Sequence, residues 1–181
     1  MLKPIELAHE FLCEVIKLED TVVDATMGNG NDTAFLAKLS AHVFAFDVQE
    51  AAITATKKLL SAQNLSAQLI LDGHENVKKY VKNPVKAAIF NLGYLPRTDK
   101  TVITHAETTI KALSDLTEML DENGRIAVMI YYKHDGGNDE KNAVLAWAEQ
   151  LDQKKYQAAR YNIVNEAYEP PILLLIERKS V

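Results

Sequence analysis

Val22-Val23-Asp24-Ala25-Thr26-Met27-Gly28-Asn29-Gly30-Asn31-Asp32-Thr33 is the stretch of sequence that decides the fold. An apolar run ends on an acid, two glycines follow, and an amphipathic stretch comes directly afterwards. A strand, a tight turn and a helix in this order are typical of a nucleotide-binding unit. Gly28 and Gly30 permit positive φ angles and let backbone N–H groups come close to a ligand.

A second apolar run also ends on an acid. It is His42-Val43-Phe44-Ala45-Phe46-Asp47, and its acid lies 23 residues after Asp24. A carboxylate at the end of this second strand can accept hydrogen bonds from both hydroxyls of a ribose. The sequence therefore predicts that the chain binds an adenosine-type cofactor.

The composition is that of an ordinary globular protein. The chain has 181 residues, 48% of them hydrophobic and 25% charged, with a net charge of −5. We expect one domain over residues 1–181 that lies in the cytoplasm, with an amphipathic N-terminal helix at 4–17 rather than a signal peptide. Cys13 is the only cysteine, so we expect neither a disulfide nor a cysteine-based metal site. The negative charge argues against sequence-independent binding along a nucleic-acid backbone, but it does not exclude a local basic patch.

Strand and helix patterns alternate along the chain. Helices are predicted at 4–17, 31–39, 49–62, 74–82, 104–120 and 138–152, and strands at 21–25, 42–47, 67–71, 86–91, 125–132, 159–164 and 171–178. Asp121-Glu122-Asn123-Gly124 predicts a turn before the fifth strand. The last two strands are too close for a crossover helix, so they must form an antiparallel hairpin. An α/β fold with seven mostly parallel strands, an antiparallel last strand and helices on both faces is the class I methyltransferase (Rossmann-like) arrangement.

The spacing around the glycines favours S-adenosylmethionine over a dinucleotide. Asp24 stands four residues before Gly28, and Thr33 occupies the position of the third glycine in the dinucleotide form. Asp72 ends the third strand and can accept from an adenine amino group, with Gly73 and His74 lining the same pocket. The alternative for a strand-end aspartate is a helix cap.

The fourth strand ends Asn91-Leu92-Gly93-Tyr94-Leu95-Pro96. The Asn-x-x-Tyr spacing resembles the Asn-Pro-Pro-Tyr motif of amine methyltransferases. An amide oxygen can hold the N–H groups of an amine in line with the methyl group, and an aromatic face can stack on a base. Methylation of nitrogen is favoured over carbon, because base C5 methylation normally needs a cysteine nucleophile and Cys13 lies far from this loop. A plain Asn-Gly turn is the alternative.

Two further loops should reach the same rim. Lys133 and His134 follow the fifth strand, and together with Arg97 and Lys100 they could form a phosphate-binding patch. His134 is also a candidate general base. Tyr168, in the turn of the final hairpin, is a candidate stacking residue. Each of these charges could instead be a solvated surface group.

With these motifs, the chain resembles the MnmM (YtqB-type) methyltransferases, a family formerly labelled rRNA methylases. The resemblance covers nearly the full length, and its specific segments are residues 24–33, 91–96, 99–100 and 170–177. It implies methylation of the aminomethyl group of 5-aminomethyl-2-thiouridine at wobble position 34 of tRNA, giving 5-methylaminomethyl-2-thiouridine. It also implies contacts of Asn91 and Tyr94 with the target nucleotide in the anticodon stem-loop.

From the motifs and the resemblance together, we predict three groups of site residues. The catalytic residues are Asn91, Tyr94 and His134. The cofactor-binding residues are Asp24, Met27, Gly28, Asn29, Gly30, Asn31, Asp32, Thr33, Asp47, Gln49, Asp72, His74 and Asn91. The substrate-binding residues are Gly93, Leu95, Arg97, Lys100, Lys133 and Tyr168.

Other functions stay open at this point. The same cofactor features would serve an N-methyltransferase that acts on rRNA or a small amine, or a non-catalytic nucleotide-binding module. A homodimer through the N-terminal helix or a sheet edge is compatible with the sequence, although no feature demands it. We expect no metal ion and no membrane partner.

Overall fold

One twisted sheet organises the protein. The computed structural model describes residues 1–93, 104–133, 136–165 and 170–180. Within them, seven strands pair in the order β3-β2-β1-β4-β5-β7-β6. The strands are β1 (Thr21–Asp24), β2 (His42–Asp47), β3 (Gln68–Leu71), β4 (Val85–Leu92), β5 (Leu120–Ile130), β6 (Tyr156–Tyr161) and β7 (Ile172–Arg178). β7 runs antiparallel to both its neighbours and the other pairs are parallel. The predicted fold class is confirmed.

Helices cover both faces of the sheet. They are α1 (Pro4–Cys13), α2 (Asn31–Ala37), α3 (Glu50–Ala62), α4 (Val77–Tyr80, after a 3₁₀ turn at His74–Asn76), α5 (Ala106–Met119) and α6 (Gly137–Glu149). Successive strand residues point to opposite faces. Accordingly Val23 packs with the residues of α5 and α6, whereas its neighbour Val22 packs with those of α1 and α2.

The first helix is shorter than predicted. It ends at Cys13 rather than at residue 17. Beyond the helix, Ile16 packs on the apolar cluster below α1, and the Asp20 carboxylate accepts a hydrogen bond from the backbone N–H of Lys17 at 2.7 Å. This turn redirects the chain into β1 and outweighs the continuing apolar periodicity.

The turn predicted at 121–124 is present as an irregularity inside β5. Val85 pairs with Leu120, but Ala87 pairs with Arg125, so β5 holds three more residues than β4 over this interval. Asn123 takes a φ of +56° at this point. Asparagine tolerates the left-handed region better than most residues, which makes the bulge possible.

The sixth strand lies three residues earlier than predicted, at Tyr156–Tyr161 instead of 159–164. It is an edge strand of the sheet, as β3 is at the other end, and its four central residues are exposed. An edge strand with little burial has no alternation of apolar and polar residues to mark its register. The prediction of its bounds was therefore wrong.

The topology gathers polar side chains at one edge of the sheet. β1 has β2 on one side and β4 on the other, so the strand order reverses between β1 and β4. In open α/β sheets, ligands bind outside the carboxyl ends of the strands at this reversal point. Asp24, Asp47 and Asn91 all stand at or beside the carboxyl ends of these strands.

Candidate active site

The glycine turn after β1 has the predicted backbone. Gly28 has a φ of +53° and Gly30 a φ of +82°, both in the left-handed region. The N–H of Met27 donates to the carbonyl of Phe46 at 2.9 Å, and the N–H of Gly28 donates to the Asp47 carboxylate at 3.0 Å. These bonds attach the turn to the end of β2, so the turn is held rigidly at the mouth of the cleft.

A cleft of about 980 Å³ lies above the carboxyl ends of the strands. This volume is within the usual range for small-molecule sites. Its lining includes these predicted residues: Met27, Gly28, Asn29, Asn31, Asp32, Asp47, Gln49, Asp72, His74, Asn91, Gly93 and Lys133. The fold thus brings residues of the glycine turn together with residues at the ends of several strands, although these segments are far apart in sequence.

Three predicted cofactor residues do not line the cleft: Asp24, Gly30 and Thr33. Asp24 and Thr33 are fully buried, and the Thr33 hydroxyl donates to the Asp24 carboxylate at 2.6 Å. The N–H of Thr26 donates to the same carboxylate at 3.2 Å. Asp24 therefore braces the start of the turn and the first turn of α2 from below, rather than facing a ligand.

Burial gives Asp24 an unusual pKa. Desolvation, together with the nearby negative charge of Asp32, raises the pKa of Asp24 from 3.8 to about 7. The folded protein therefore keeps this proton to a higher pH than the unfolded chain does, and folding becomes less favourable as the proton is lost.

We predict a pH-dependent stability difference between the wild type and Asp24→Asn without cofactor. The advantage of the wild type should fall by up to about 4 kcal/mol between about pH 4 and pH 7, because a pKa difference of three units corresponds to that energy. Urea unfolding of both proteins across this window measures it. A difference that stays constant or grows with pH contradicts the assignment.

The Asp47 carboxylate lines the cleft at the end of β2. Its two oxygens accept backbone N–H groups from Gly28 at 3.0 Å and from Gln49 at 2.9 Å. A carboxylate has about four acceptor positions, so each oxygen can still accept a hydroxyl. Val48 beside it is 60% exposed and lines the cleft, giving an apolar surface next to the carboxylate.

We expect Asp47→Ala to weaken cofactor binding by roughly 1.5–3 kcal/mol, the usual contribution of charge-assisted hydrogen bonds. Calorimetric titration with S-adenosylmethionine measures the change. Asp20→Ala is the matched control, since Asp20 also accepts a backbone N–H but does not line the cleft. Equal affinity of Asp47→Ala and the control would rule out the ribose contact.

Asp72 and His74 form a second polar group on the cleft wall. Asp72 accepts from the Tyr80 hydroxyl at 2.8 Å and from the N–H of Gly73 at 2.8 Å. The hydrogen bond from Tyr80 is the main cause that lowers the pKa of Asp72, so this carboxylate is ionised at neutral pH. These two hydrogen bonds hold the local turn, which agrees with the alternative that a strand-end aspartate caps a helix. A carboxylate has about four acceptor positions, so Asp72 can still accept a hydrogen bond from a ligand.

His74 has a buried acceptor atom. Its Nδ1 lies 2.9 Å from the carbonyl of Ala25 and must donate to it, and burial lowers the pKa of His74, so the ring is neutral. Among the residues that the structure describes, the buried and unprotonated Nε2 has no hydrogen-bond partner. An acceptor of this kind on the cleft wall fits a ligand that donates, such as the amino group of adenine.

Asn91 is fixed through both its backbone and its side chain. Its backbone N–H donates to the Thr26 hydroxyl at 2.6 Å, which joins the end of β4 to the turn after β1. Its Nδ2 donates to the Asp32 carboxylate at 2.6 Å. The amide oxygen is therefore the atom left to accept hydrogen bonds from a ligand in the cleft.

Some predicted residues lie outside the described part of the chain: Tyr94, Leu95, Arg97, Lys100, His134 and Tyr168. Gly93 is described and has a φ of +143°. Its N–H donates to the Thr104 hydroxyl, whose own proton goes to the buried Glu140 carboxylate at 2.6 Å. The roles given to those six residues stay predictions. The hydrogen bonds through Thr104 hold Gly93 in place at the end of β4.

Sequence reasoning missed several residues of the cleft. Thr26 stands inside the quoted glycine stretch, and its spacing between Asp24 and Gly28 was the available signal. Tyr131 lines the cleft just after β5, and burial and the charge of Asp32 raise its pKa. The predicted fifth strand extended to residue 132 and so hid this side chain in a strand, whereas β5 ends at Ile130.

The described residues show no group of three or more His, Cys, Asp and Glu side chains able to hold a metal ion. Among the same residues, no helix has the length and apolar character needed to cross a membrane.

The reversal point, the glycine turn and the polar strand ends define a class I S-adenosylmethionine-dependent methyltransferase. Comparison with known proteins makes the assignment more specific. Residues 43–177 match the family described as "Putative rRNA methylase", and the chain belongs to this family. The resemblance inferred from the sequence is thereby confirmed. The protein is an enzyme, and the alternative of a non-catalytic nucleotide-binding module is dropped.

Individual relatives agree with this assignment. A chloroplastic tRNA (mnm(5)s(2)U34)-methyltransferase of Arabidopsis thaliana is 32% identical, over 98% of this chain and 70% of its own length. A solved "putative methyltransferase" from Streptococcus mutans in complex with SAH is 47% identical, with a TM-score of 0.94 over 98% of this chain and 99% of its own. A solved "putative rRNA-methylase" from Clostridium thermocellum is 48% identical, with a TM-score of 0.95 over 98% of both chains.

Proposed function

We propose that the protein methylates the aminomethyl nitrogen of 5-aminomethyl-2-thiouridine at wobble position 34 of tRNA, forming 5-methylaminomethyl-2-thiouridine. The observation that carries the proposal is the Asn91 amide, which is locked by Asp32 with its oxygen left as an acceptor in the cleft. An acceptor at this strand end suits an amine nucleophile. The Arabidopsis relative, named for this reaction, supplies the nucleoside.

In this proposal, one set of residues binds the cofactor and Asn91 orients the substrate amine. S-adenosylmethionine, when bound, supplies an electrophilic methyl group on a sulfonium sulfur. Asp47 accepts from the ribose hydroxyls, and Asp72 with His74 accepts from the adenine amino group. Asn91 accepts an N–H of the substrate amine, which turns the nitrogen lone pair toward the methyl group.

The anticodon stem-loop is the proposed binding element of the tRNA. Lys133 is exposed, lines the cleft and can meet a phosphate near the target nucleotide. With a net charge of −5, the protein should hold RNA through such local contacts rather than over its whole surface. The affinity for an anticodon stem-loop should therefore fall only modestly when the salt concentration is raised from a low value.

A methylation assay tests the proposal. The enzyme is incubated with tritiated S-adenosylmethionine and tRNA from a strain that lacks the final wobble methyl group, and the nucleosides are read by mass spectrometry. Appearance of 5-methylaminomethyl-2-thiouridine supports the proposal. Absence of product, with cofactor binding verified by calorimetry, refutes the tRNA substrate.

Methylation of rRNA is the second candidate. The matched family and the Clostridium structure are both named for rRNA, and all cofactor contacts would be the same. The same assay with unmodified rRNA in place of tRNA distinguishes the two. A small amine substrate, such as a free 5-aminomethyl nucleoside, completes the comparison in a third reaction.

A further inference from the structure

Helix α1 places a histidine, which sequence analysis did not single out, against a carboxylate of the cleft wall. His9 Nε2 lies 2.7 Å from Asp32 Oδ1, and the two side chains are 29% and 12% exposed. A carboxylate only accepts, so Nε2 carries the proton in this contact whichever charge the ring has. His9 thus donates directly to a carboxylate on the cleft wall.

The ring of His9 is held in place from the other side. It stacks on Phe35 with ring centroids 3.8 Å apart and an angle of 6° between the planes. Phe35 is three residues after Asp32 on α2, so stacking partner and carboxylate stand on one face of the same helix. The stack fixes the plane of the imidazole and with it the direction of the donated hydrogen bond.

Asp32 passes this constraint to Asn91. Its second oxygen accepts Asn91 Nδ2 at 2.6 Å, so both carboxylate oxygens are engaged. The contact allows only one of the two amide orientations of Asn91, because the amide oxygen cannot donate to a carboxylate. Loss of the bond from His9 would let the carboxylate rotate and release the amide.

We propose that His9 is a positioning residue for methyl transfer, acting through Asp32 to set the orientation of the Asn91 amide. The inference rests on the proposed function, since it assumes that Asn91 accepts from the substrate amine. His9 itself is not assigned a contact with the substrate. Small misplacements of a reacting group can lower rates by up to about 100-fold, so a remote donor can matter for the rate.

Two variants separate the hydrogen bond from the packing. His9→Phe keeps an aromatic ring on Phe35 but removes the donor, whereas His9→Gln keeps a donor at the position of Nε2 and removes the ring. We expect His9→Phe to lower kcat about tenfold or more, with KM for tRNA and affinity for S-adenosylmethionine within about twofold of wild type. His9→Gln should recover most of kcat.

The control is His42→Phe. His42 forms a comparable contact with Glu19 at 3.4 Å, but it is exposed and away from the cleft, so this variant should keep wild-type kcat. Wild-type kcat in His9→Phe, or an equal loss in His9→Gln, would overturn the inference. A thermal melt of each variant verifies that it is folded.

An NMR measurement makes the inference independent of the substrate. The side-chain NH₂ signals of Asn91 are assigned by their absence in Asn91→Ala. They should shift in His9→Phe and return toward the wild-type position in His9→Gln. Signals that do not move refute the proposed chain of contacts, whereas a wild-type enzyme inactive on tRNA refutes only the proposed function.

Discussion

Gly30→Val is expected to abolish binding of S-adenosylmethionine, with an affinity loss of more than about 100-fold. A Cβ at this position would stand 2.6–2.9 Å from the side chain and Cα of Thr56, closer than real contacts allow. The φ of +82° adds strain, since β-branched residues rarely adopt the left-handed region. The turn must therefore shift, and with it Gly28 and Asn29, which line the cleft. Calorimetric titration measures the loss.

Gly136→Ala is the matched control for this experiment. Gly136 also precedes a helix and has a φ of +79°, but it lies outside the glycine turn, whose Gly28 and Asn29 line the cleft. It should show the stability cost of a left-handed alanine with unchanged cofactor affinity. Gly30→Ala should fall between Gly30→Val and wild type. Wild-type affinity in a folded Gly30→Val would mean that the turn does not bind the cofactor.

Asn91→Ala should lower kcat by roughly 100-fold or more while S-adenosylmethionine still binds. The variant removes the amide oxygen assigned to the amine and leaves the Asp32 carboxylate without its partner from β4. Loss of one hydrogen-bonding group at a reacting centre commonly costs a factor of this size. Single-turnover methylation of undermethylated tRNA measures the step directly.

The control is Asn76→Ala, which removes an asparagine–aspartate hydrogen bond of similar length, 2.8 Å to Asp72, from a residue that does not line the cleft. It should keep most of the wild-type rate. If both variants retain full rate, Asn91 has no part in methyl transfer. If both lose it equally, the effect at Asn91 comes from general weakening of the fold.

The glycine turn could be predicted because its physics is local. Positive φ at Gly28 and Gly30 needs glycine, and a fully buried parallel strand needs an unbroken apolar run such as Val22 and Val23. Polar residues that end such strands must meet at one edge of the sheet. The sequence-based interpretation of Asp47 and Asn91 rests on these rules, and the structure places both in the cleft.

Other features depend on contacts between distant segments, which leave no periodic signal. His9 and Asp32 are 23 residues apart, and Asn91 and Asp32 are 59 apart. Asp24 looked like a ligand-facing acid, because its position at a strand end says nothing about the hydroxyl of Thr33 that covers it. The edge strand β6 was misplaced because exposed residues carry no pattern of burial.

The placement of β7 affects how the nascent chain can fold. β1 to β4 and the glycine turn are complete by residue 92. The part of the cleft wall that these strand ends and the turn form is therefore synthesised early. β7 comes last but lies between β5 and β6, so β5 lacks one neighbour until residue 178 has been made. An unpaired apolar strand is a site of aggregation. Ribosome stalling after β6 and before β7 should therefore leave one edge of β5 open to aggregation.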